Sequence, residues 1–384
     1  MLLPGWACLT VRTAVGWGVA LILASPVTAQ QQPVTVTLVN SSFVRIGSVE
    51  GPPETTFATV IGAVRLPGGN IVVADAGAQV VRFFEDSGRH VRSVGRAGRG
   101  PGEFEMITWI GPCPDGRLLV TDGALSRGTI LESDGTVART VGLPPRVLFS
   151  PYLSCRTLTA ALALLNRPHR TTVPGQVTRA PAFVVRLTFG SEVLDTLGRL
   201  PGSEFYRGAR VRGFSPIPLG AAALAAAQGD WLYLAQNDEP RIRVLNLGTQ
   251  RETTFAHGLP RTGMTTAAWE AAKTRFIDQQ PLRETRELLA DVLAETSPPE
   301  QQPFFVDVKV DREGRLWLRL PSAGSTASWR VLTPEGNHVA TVLLPASIEP
   351  LDIGRSYLLA SDRDELGVQT IRAYSFAGPL IPGT

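Results

Sequence analysis

Cysteine is scarce in this chain, with three among 384 residues. That excludes a disulfide scaffold and a four-cysteine zinc module. Histidine is nearly as scarce, with four, and their spacing makes no metal cluster. Charged residues are only 18% of the chain, and 37 basic against 34 acidic leave a formal charge of +3. With no basic run, the electrostatic footprint of a nucleic-acid binder is missing. Lysine is almost absent: Lys273 and Lys309 are the two there are. No Gly-Lys-Ser/Thr follows a glycine loop, and no Gly-x-Ser-x-Gly elbow offers a serine nucleophile. Beyond the N-terminus no apolar stretch is long enough to cross a hydrocarbon core of about 30 Å, so no stable span is expected.

The N-terminus carries a shorter apolar run. Arg12 is followed by an apolar run from Ala14 to Ala24, then Val27-Thr28-Ala29 with small residues at −3 and −1. This is the pattern of a secretory signal peptide, residues 1–29. The run is short for a membrane anchor. Cleavage removes Arg12 and Cys8, so the mature charge is +3 − 1 = +2 and two cysteines remain. An exported protein, periplasmic or extracellular, is expected. Cys113 and Cys155 form one disulfide in such a compartment or stay as two buried thiols.

The remainder, residues 30–384, counts in repeats. An apolar stretch from Ile61 leads into Pro67-Gly68-Gly69, then Asn70–Asp75. A turn leads into Gln79–Phe84, then Asp86-Ser87-Gly88 and Arg89–Val94. That is four short strands with turn residues between them. Asp115-Gly116, Arg117–Thr121, Asp122-Gly123, Asp134-Gly135 and Thr136–Val141 repeat the pattern. Gly69 and Gly116 are 47 residues apart, the length of a propeller blade of about 40–50 residues. Trp231–Leu234, Arg315–Leu318 and Tyr357–Leu359 are second strands of later units, and a degenerate unit spans Val147–Phe205. The count is six. The last unit lacks an outer strand, and the β-rich segment Val34–Val49 is available to supply it and close the ring.

At Gly69–Phe104 the residues resemble an NHL repeat: Gly69-Asn70-Ile71-Val72-Val73-Ala74-Asp75, Val81, Phe84, Gly88, and Gly95–Phe104 with its Gly-Arg-Gly-Pro-Gly core. The resemblance implies an all-β fold, a six-bladed β-propeller of four-stranded antiparallel blades. The family's usual Asn–Arg pair is replaced by Ala78, Gln79 and Val80. The family holds scaffolds, RNA binders and a few enzymes, so the fold does not fix the function. In such a propeller the first strands line a channel, which brings Cys113 and Cys155 near each other on adjacent blades.

Second strands end in Asp75, Asp122, Asn237 and Asp362. Such residues bond their own turn backbone. The alternative is a polar rim at one mouth of the channel, able to hold a divalent cation such as calcium. Third strands repeat an arginine, Arg82, Arg330 and Arg372, which needs an acid or carbonyls. Between the fourth and fifth units, about 262–300, the pattern turns helical. Trp269, Ala272 and Phe276 share one face, Pro281 interrupts, and Leu289, Val292 and Leu293 share another. That hairpin is a packed lid or a partner-binding element carrying Trp269, Phe276 and Leu289. The expected function is non-enzymatic: an exported propeller recognising a protein, peptide or glycan through its loops and helical insertion. The alternative is a metal-dependent hydrolase or lyase, lactonase-like, at the channel mouth.

Overall fold

Gly69 and Gly116 have φ of 94° and 87°, values that strain any residue with a Cβ. They fix the tight turns between first and second strands, and from these turns the sheets are built. The computed structural model describes residues 32–380 apart from 40, 49, 149, 151, 158, 169–172, 193, 281–282 and 364–366. The expected leader, residues 1–29, lies outside the described residues.

Two short strands come first, β1 (Val34–Thr37) and β2 (Val44–Ile46). The first full sheet is β3 (Val60–Arg65), β4 (Ile71–Asp75), β5 (Val80–Phe84) and β6 (His90–Val94). The second is β7 (Ile107–Pro112), β8 (Leu118–Asp122), β9 (Arg127–Leu131) and β10 (Val137–Gly142). Next come β11 (Leu153–Thr157), β12 (Ala160–Leu165), β13 (Val177–Thr178), β14 (Ala182–Thr188) and β15 (Leu194–Leu200). The third sheet takes β11, β12, β14 and β15. The small strand β13 pairs instead with β16 (Phe205–Arg207), which pairs with β17 (Phe214–Pro216).

The fourth sheet is β18 (Ala223–Gln228), β19 (Trp231–Gln236), β20 (Arg241–Asn246) and β21 (Glu252–Ala256). Helices α1 (Thr266–Asp278) and α2 (Arg283–Ala294) follow. Thr265 caps α1, its side chain accepting the Ala268 N–H at 3.1 Å. The fifth sheet is β22 (Asp307–Val310), β23 (Leu316–Arg319), β24 (Thr326–Leu332) and β25 (His338–Pro345); β1 adds to β25 in parallel. The last is β26 (Glu349–Ile353), β27 (Tyr357–Arg363) and β28 (Gln369–Ser375), with β2 antiparallel to β28 as its fourth strand.

Within the sheets all pairing is antiparallel except at β1. The middle strands are continuous apolar runs because both faces are covered: every residue of β4, β5 and β8 is buried. The core lies between sheets. Val72 and Val81 pack with Leu118 and Val120, Leu119 and Ile130 with Ala161 and Val185, and Leu162 with Leu234. Tyr233 packs with Leu316, Trp329 with Leu358, and Leu359 of the last sheet with Ala63 and Val73 of the first. Four-stranded antiparallel sheets stacked in series, first strands inward on a shared channel, make this a β-propeller.

The glycine loop that ends the first repeat is a connection. Phe104 is fully buried, and Arg127 donates to the carbonyls of Arg99, Gly100 and Glu103. One feature departs from the sequence expectation. The separate β13–β16–β17 sheet, built from strands of two and three residues, takes β13 from the stretch expected as the third unit, while β16 begins at its last residue and β17 lies beyond it.

Candidate functional site

The four rim residues at the ends of second strands stand at comparable places in their sheets. The Asp75 carboxylate accepts N–H groups from Ala58 (3.1 Å), Thr59 (2.9 Å) and Gly77 (3.2 Å), and pairs with Arg82 at 2.8 Å. Asp122 accepts from Glu105 (2.8 Å), Met106 (3.3 Å), Ala124 (3.1 Å) and Leu125 (3.0 Å). Asn237 accepts from Ala222 at 2.6 Å and donates to the Gly220 carbonyl at 3.0 Å. All three are buried. Asp362 is half-buried and lies 3.4 Å from Arg372. Asp75, Asp122 and Asn237 bond backbone leading into the first strand of their own sheet, Asp362 faces Arg372, and the four do not converge. Among the described residues, no three His, Cys, Asp or Glu side chains are grouped to hold a metal ion.

The third-strand arginines find acceptors as expected. Besides Arg82 and Arg372, Arg243 pairs with Glu252 at 2.7 Å and Arg186 with Asp195 at 3.0 Å. Arg330 donates to the His257 carbonyl at 3.0 Å.

The strands β3, β7, β11, β18, β22 and β26 line a channel of about 720 Å³. That is within the range of small-molecule sites, about 300–1,000 Å³. Where these strands end, Cys113 and Cys155 are joined in a disulfide with their Cα atoms 4.9 Å apart, linking β11 to the turn after β7. The charged residues lining the channel are Arg65, Arg156, Asp307, Lys309, Arg312 and Asp352.

Two groups tie the fifth sheet to the sixth. Lys309 reaches Glu349 at 2.8 Å and Asp307 at 3.5 Å. Burial works against the Lys309 ammonium, but the two carboxylates outweigh it and raise its pKa above the usual lysine value. Burial raises Asp307, and the Glu349 charge adds to it against the pull of Lys309. At the other end of the channel the Asp352 carboxylate takes Arg312 through Nε at 2.9 Å and Nη2 at 2.6 Å. It also accepts the Arg65 backbone N–H at 2.8 Å and the Tyr357 hydroxyl at 3.2 Å. The Arg65 guanidinium lies over the Tyr357 ring at 4.8 Å and near that of Phe43 at 5.9 Å.

The helical insertion and the β13–β16–β17 sheet meet in one cap. The Glu295 carboxylate, just past α2, accepts N–H groups from Ala209 at 2.7 Å and Arg210 at 3.2 Å. It also takes the Tyr206 hydroxyl at 3.3 Å. Those backbone bonds, Ala209 first, hold its pKa below the usual carboxylate range. Of the insertion's candidate residues, Trp269 and Leu289 are buried and Phe276 is half-buried. On the outside, Phe214 is 36% exposed and Leu288 is 40% exposed. The Leu288 side chain lies 3.9 Å from where a Cβ on Gly213 would sit. Arg207 lies over the Phe214 ring at 5.7 Å.

Sequence reasoning missed Arg65, Arg312, Asp352 and Glu295. Their partners lie on other sheets or in a distant loop, and no local spacing signals such contacts. For Lys309 the rarity of lysine was a signal.

No family model matches the chain, and no curated protein sequence matches it. Solved structures do resemble it at a distance. One is a member of the DUF4221 family from Bacteroides vulgatus, at 10% identity and TM-score 0.47, covering 90% of this chain and 100% of that one. Another is a catalytically inactive virginiamycin B lyase from Staphylococcus aureus with quinupristin, at 13% and 0.41, covering 89% and 98%. A third is regucalcin, a calcium-binding protein from Agrobacterium tumefaciens, at 12% and 0.35, covering 91% and 99%. Likenesses this distant assign no residue and no activity to this chain.

Proposed function

We propose that the protein is an exported, non-enzymatic β-propeller that binds a protein or peptide through its cap. Its single domain, residues 30–384, has six blades, and β2 closes the ring by completing the last one. The contacts of Leu359 with Ala63 and Val73 and the pairing of β2 with β28 support closure.

The observation that carries the binding reading is the exposure of two large apolar side chains on the cap, Phe214 on β17 and Leu288 on α2. Large apolar side chains are ordinarily covered on a helix and sheet that pack together. Here they stand on a cap fixed from beneath by Glu295, with Arg207 over the aromatic ring. An aromatic and an arginine on a rigid support are what interface centres are enriched in. Trp269 and Leu289 hold the cap from inside rather than touching the partner. A glycan is less well matched, since the exposed surface offers apolar contact more than hydrogen bonds.

The competing reading is a metal-dependent hydrolase or lyase at the channel mouth, with calcium as a plausible ion. It needs carboxylates free to converge, whereas Asp75, Asp122 and Asn237 have their oxygens engaged with backbone N–H groups of their own sheets.

The test is crosslinking in the cells that make the protein, with the wild type and with a Phe214→Ser, Leu288→Ser double variant. A defined adduct that the wild type forms and the folded variant loses supports the cap. Identical adducts from both proteins overturn it.

A further inference from the structure

Among the described residues, one cation of the channel lining, Arg65, has no carboxylate partner, while the other three are paired. Its lining holds four cations, Arg65, Arg156, Lys309 and Arg312, against two carboxylates, Asp307 and Asp352. Two more carboxylates stand just behind the lining, Glu349 at 2.8 Å from Lys309 and Asp230 at 3.3 Å from Arg156. Asp307 is committed to Lys309. Asp352 takes Arg312 bidentately, together with a backbone N–H and a tyrosine hydroxyl. Arg156 donates to the Gly229 carbonyl and lies 3.3 Å from Asp230.

Arg65 is left over. Its Nε is buried without a hydrogen-bond partner. Its guanidinium stacks on the rings of Tyr357 and Phe43, and its Nη2 and the Asp86 carboxylate both approach Gly69 without an ion pair between them. A guanidinium carries five donors and gains most from a bidentate oxyanion. Stacked on Tyr357 and half-buried, it has already lost much of its rotamer freedom, so an arriving anion meets a preorganised fork. Arg312 stands beside it, donating to the Arg65 carbonyl. Arg156 lies at the same end of the channel, next to the Cys113–Cys155 disulfide.

We propose that this end of the channel binds a small organic anion whose carboxylate or phosphate group is held by Arg65, beside the paired Arg156 and Arg312. The rest of the ligand would lie along the inner strands, against residues such as Ile110, Leu153 and Ala225. The volume admits a ligand of metabolite size. This site is separate from the cap, and either can fail without the other.

The experiment uses the full mature chain at constant ionic strength. Binding of inorganic phosphate, of succinate and of citrate is measured by calorimetry against a chloride background. Arginine Nε–Hε resonances are followed by NMR. We expect saturable binding of at least one probe with a shift of one buried arginine Nε–Hε signal. Arg65→Gln should remove that signal and weaken binding at least tenfold, by the usual worth of a charge-assisted contact. Arg89→Gln, on an outer turn, should bind as the wild type does. Phosphate alone would point to phosphate esters, and succinate or citrate to carboxylates. If Arg65→Gln does not fold, Arg65→Lys, which keeps the charge and loses the fork, serves instead with the same tenfold criterion. No saturable binding of any probe, or equal binding by the Arg65 variant, overturns the proposal.

Discussion

The Glu295 carboxylate accepts the Ala209 N–H at 2.7 Å, and through that bond the end of α2 holds the loop between β16 and β17. Backbone bonding depresses the Glu295 pKa in the folded protein. A carboxylate with a depressed folded pKa stabilises above its unfolded value and ceases to as pH falls through the folded one. The cap is therefore expected to loosen in acid, below about pH 4. Hydrogen exchange at the Ala209 and Arg210 amides reads this directly. Glu295→Ala should show the fast exchange already at neutral pH, and unchanged protection would sink the idea.

The Cys113–Cys155 link closes a loop with a sequence separation of 42 residues. Chain-entropy reasoning gives a loop of that size about 4 kcal/mol, an upper figure because unfolded chains retain structure. A Cys113→Ser, Cys155→Ser double variant should be less stable by about 2–4 kcal/mol in urea unfolding. A loss below about half a kcal/mol would show that the interface between the second and third sheets holds without it.

Asp75 and Asp362 occupy comparable positions with unlike surroundings. Removing Asp75 leaves Arg82 buried beside orphaned N–H groups, so Asp75→Ala should cost about 3–5 kcal/mol. Asp362 faces Arg372 at the long separation of 3.4 Å and is half-buried, so Asp362→Ala should cost about 1 kcal/mol or less. Equilibrium unfolding of the two variants checks the order. A reversed order would contradict the structural role given to the Asp75 carboxylate.

His257 is buried among Phe304 and Phe305. Its Nδ1 accepts the Leu259 N–H at 3.1 Å and its Nε2 faces the Glu239 carbonyl at 2.9 Å. One nitrogen must accept and the other donate, which is the neutral ring. Burial lowers its pKa, and the nearby Arg330 charge adds to the effect. The unfolded chain then binds the proton first as pH falls. Stability is full above about pH 6.5 and declines below it, by up to about 1.4 kcal/mol per pH unit, until the folded value is reached. His338 is lowered by burial too, so the readout is the difference between the wild type and His257→Gln across pH 7.5 to 5.5. Parallel pH profiles for the two proteins would refute it.

Much of the propeller was legible because its signals are local. Gly69 and Gly116 mark turns that need positive φ, and runs such as Ile71–Asp75 are apolar throughout because both faces are covered. The helices were legible from the spacing of Trp269 and Phe276 and of Leu289 and Val292, and both fall within the expected stretch of about 262–300. The β13–β16–β17 sheet was not, because strands of two or three residues carry no periodicity and owe their order to packing against α2. Arg65 was invisible for a related reason. Its lack of an acceptor depends on Asp352, on another sheet, being occupied by Arg312. Asp75 was visible as a residue, but whether its oxygens face the turn or the channel is set by Ala58 and Thr59, well before it in the chain.

The first strands of the described chain find their partners among its last. Val34 pairs with Ala340 and Val44 with Ala373, each some three hundred residues away in sequence. A ribosome delivers β1 and β2 long before anything exists for them to pair with. During that interval two strand edges wait uncovered, the condition in which growing chains associate with one another. Completion of the sheets is thus timed by synthesis itself: the earliest-made strands are seated last, and a chain cut short before β28 leaves β2 with no place to go.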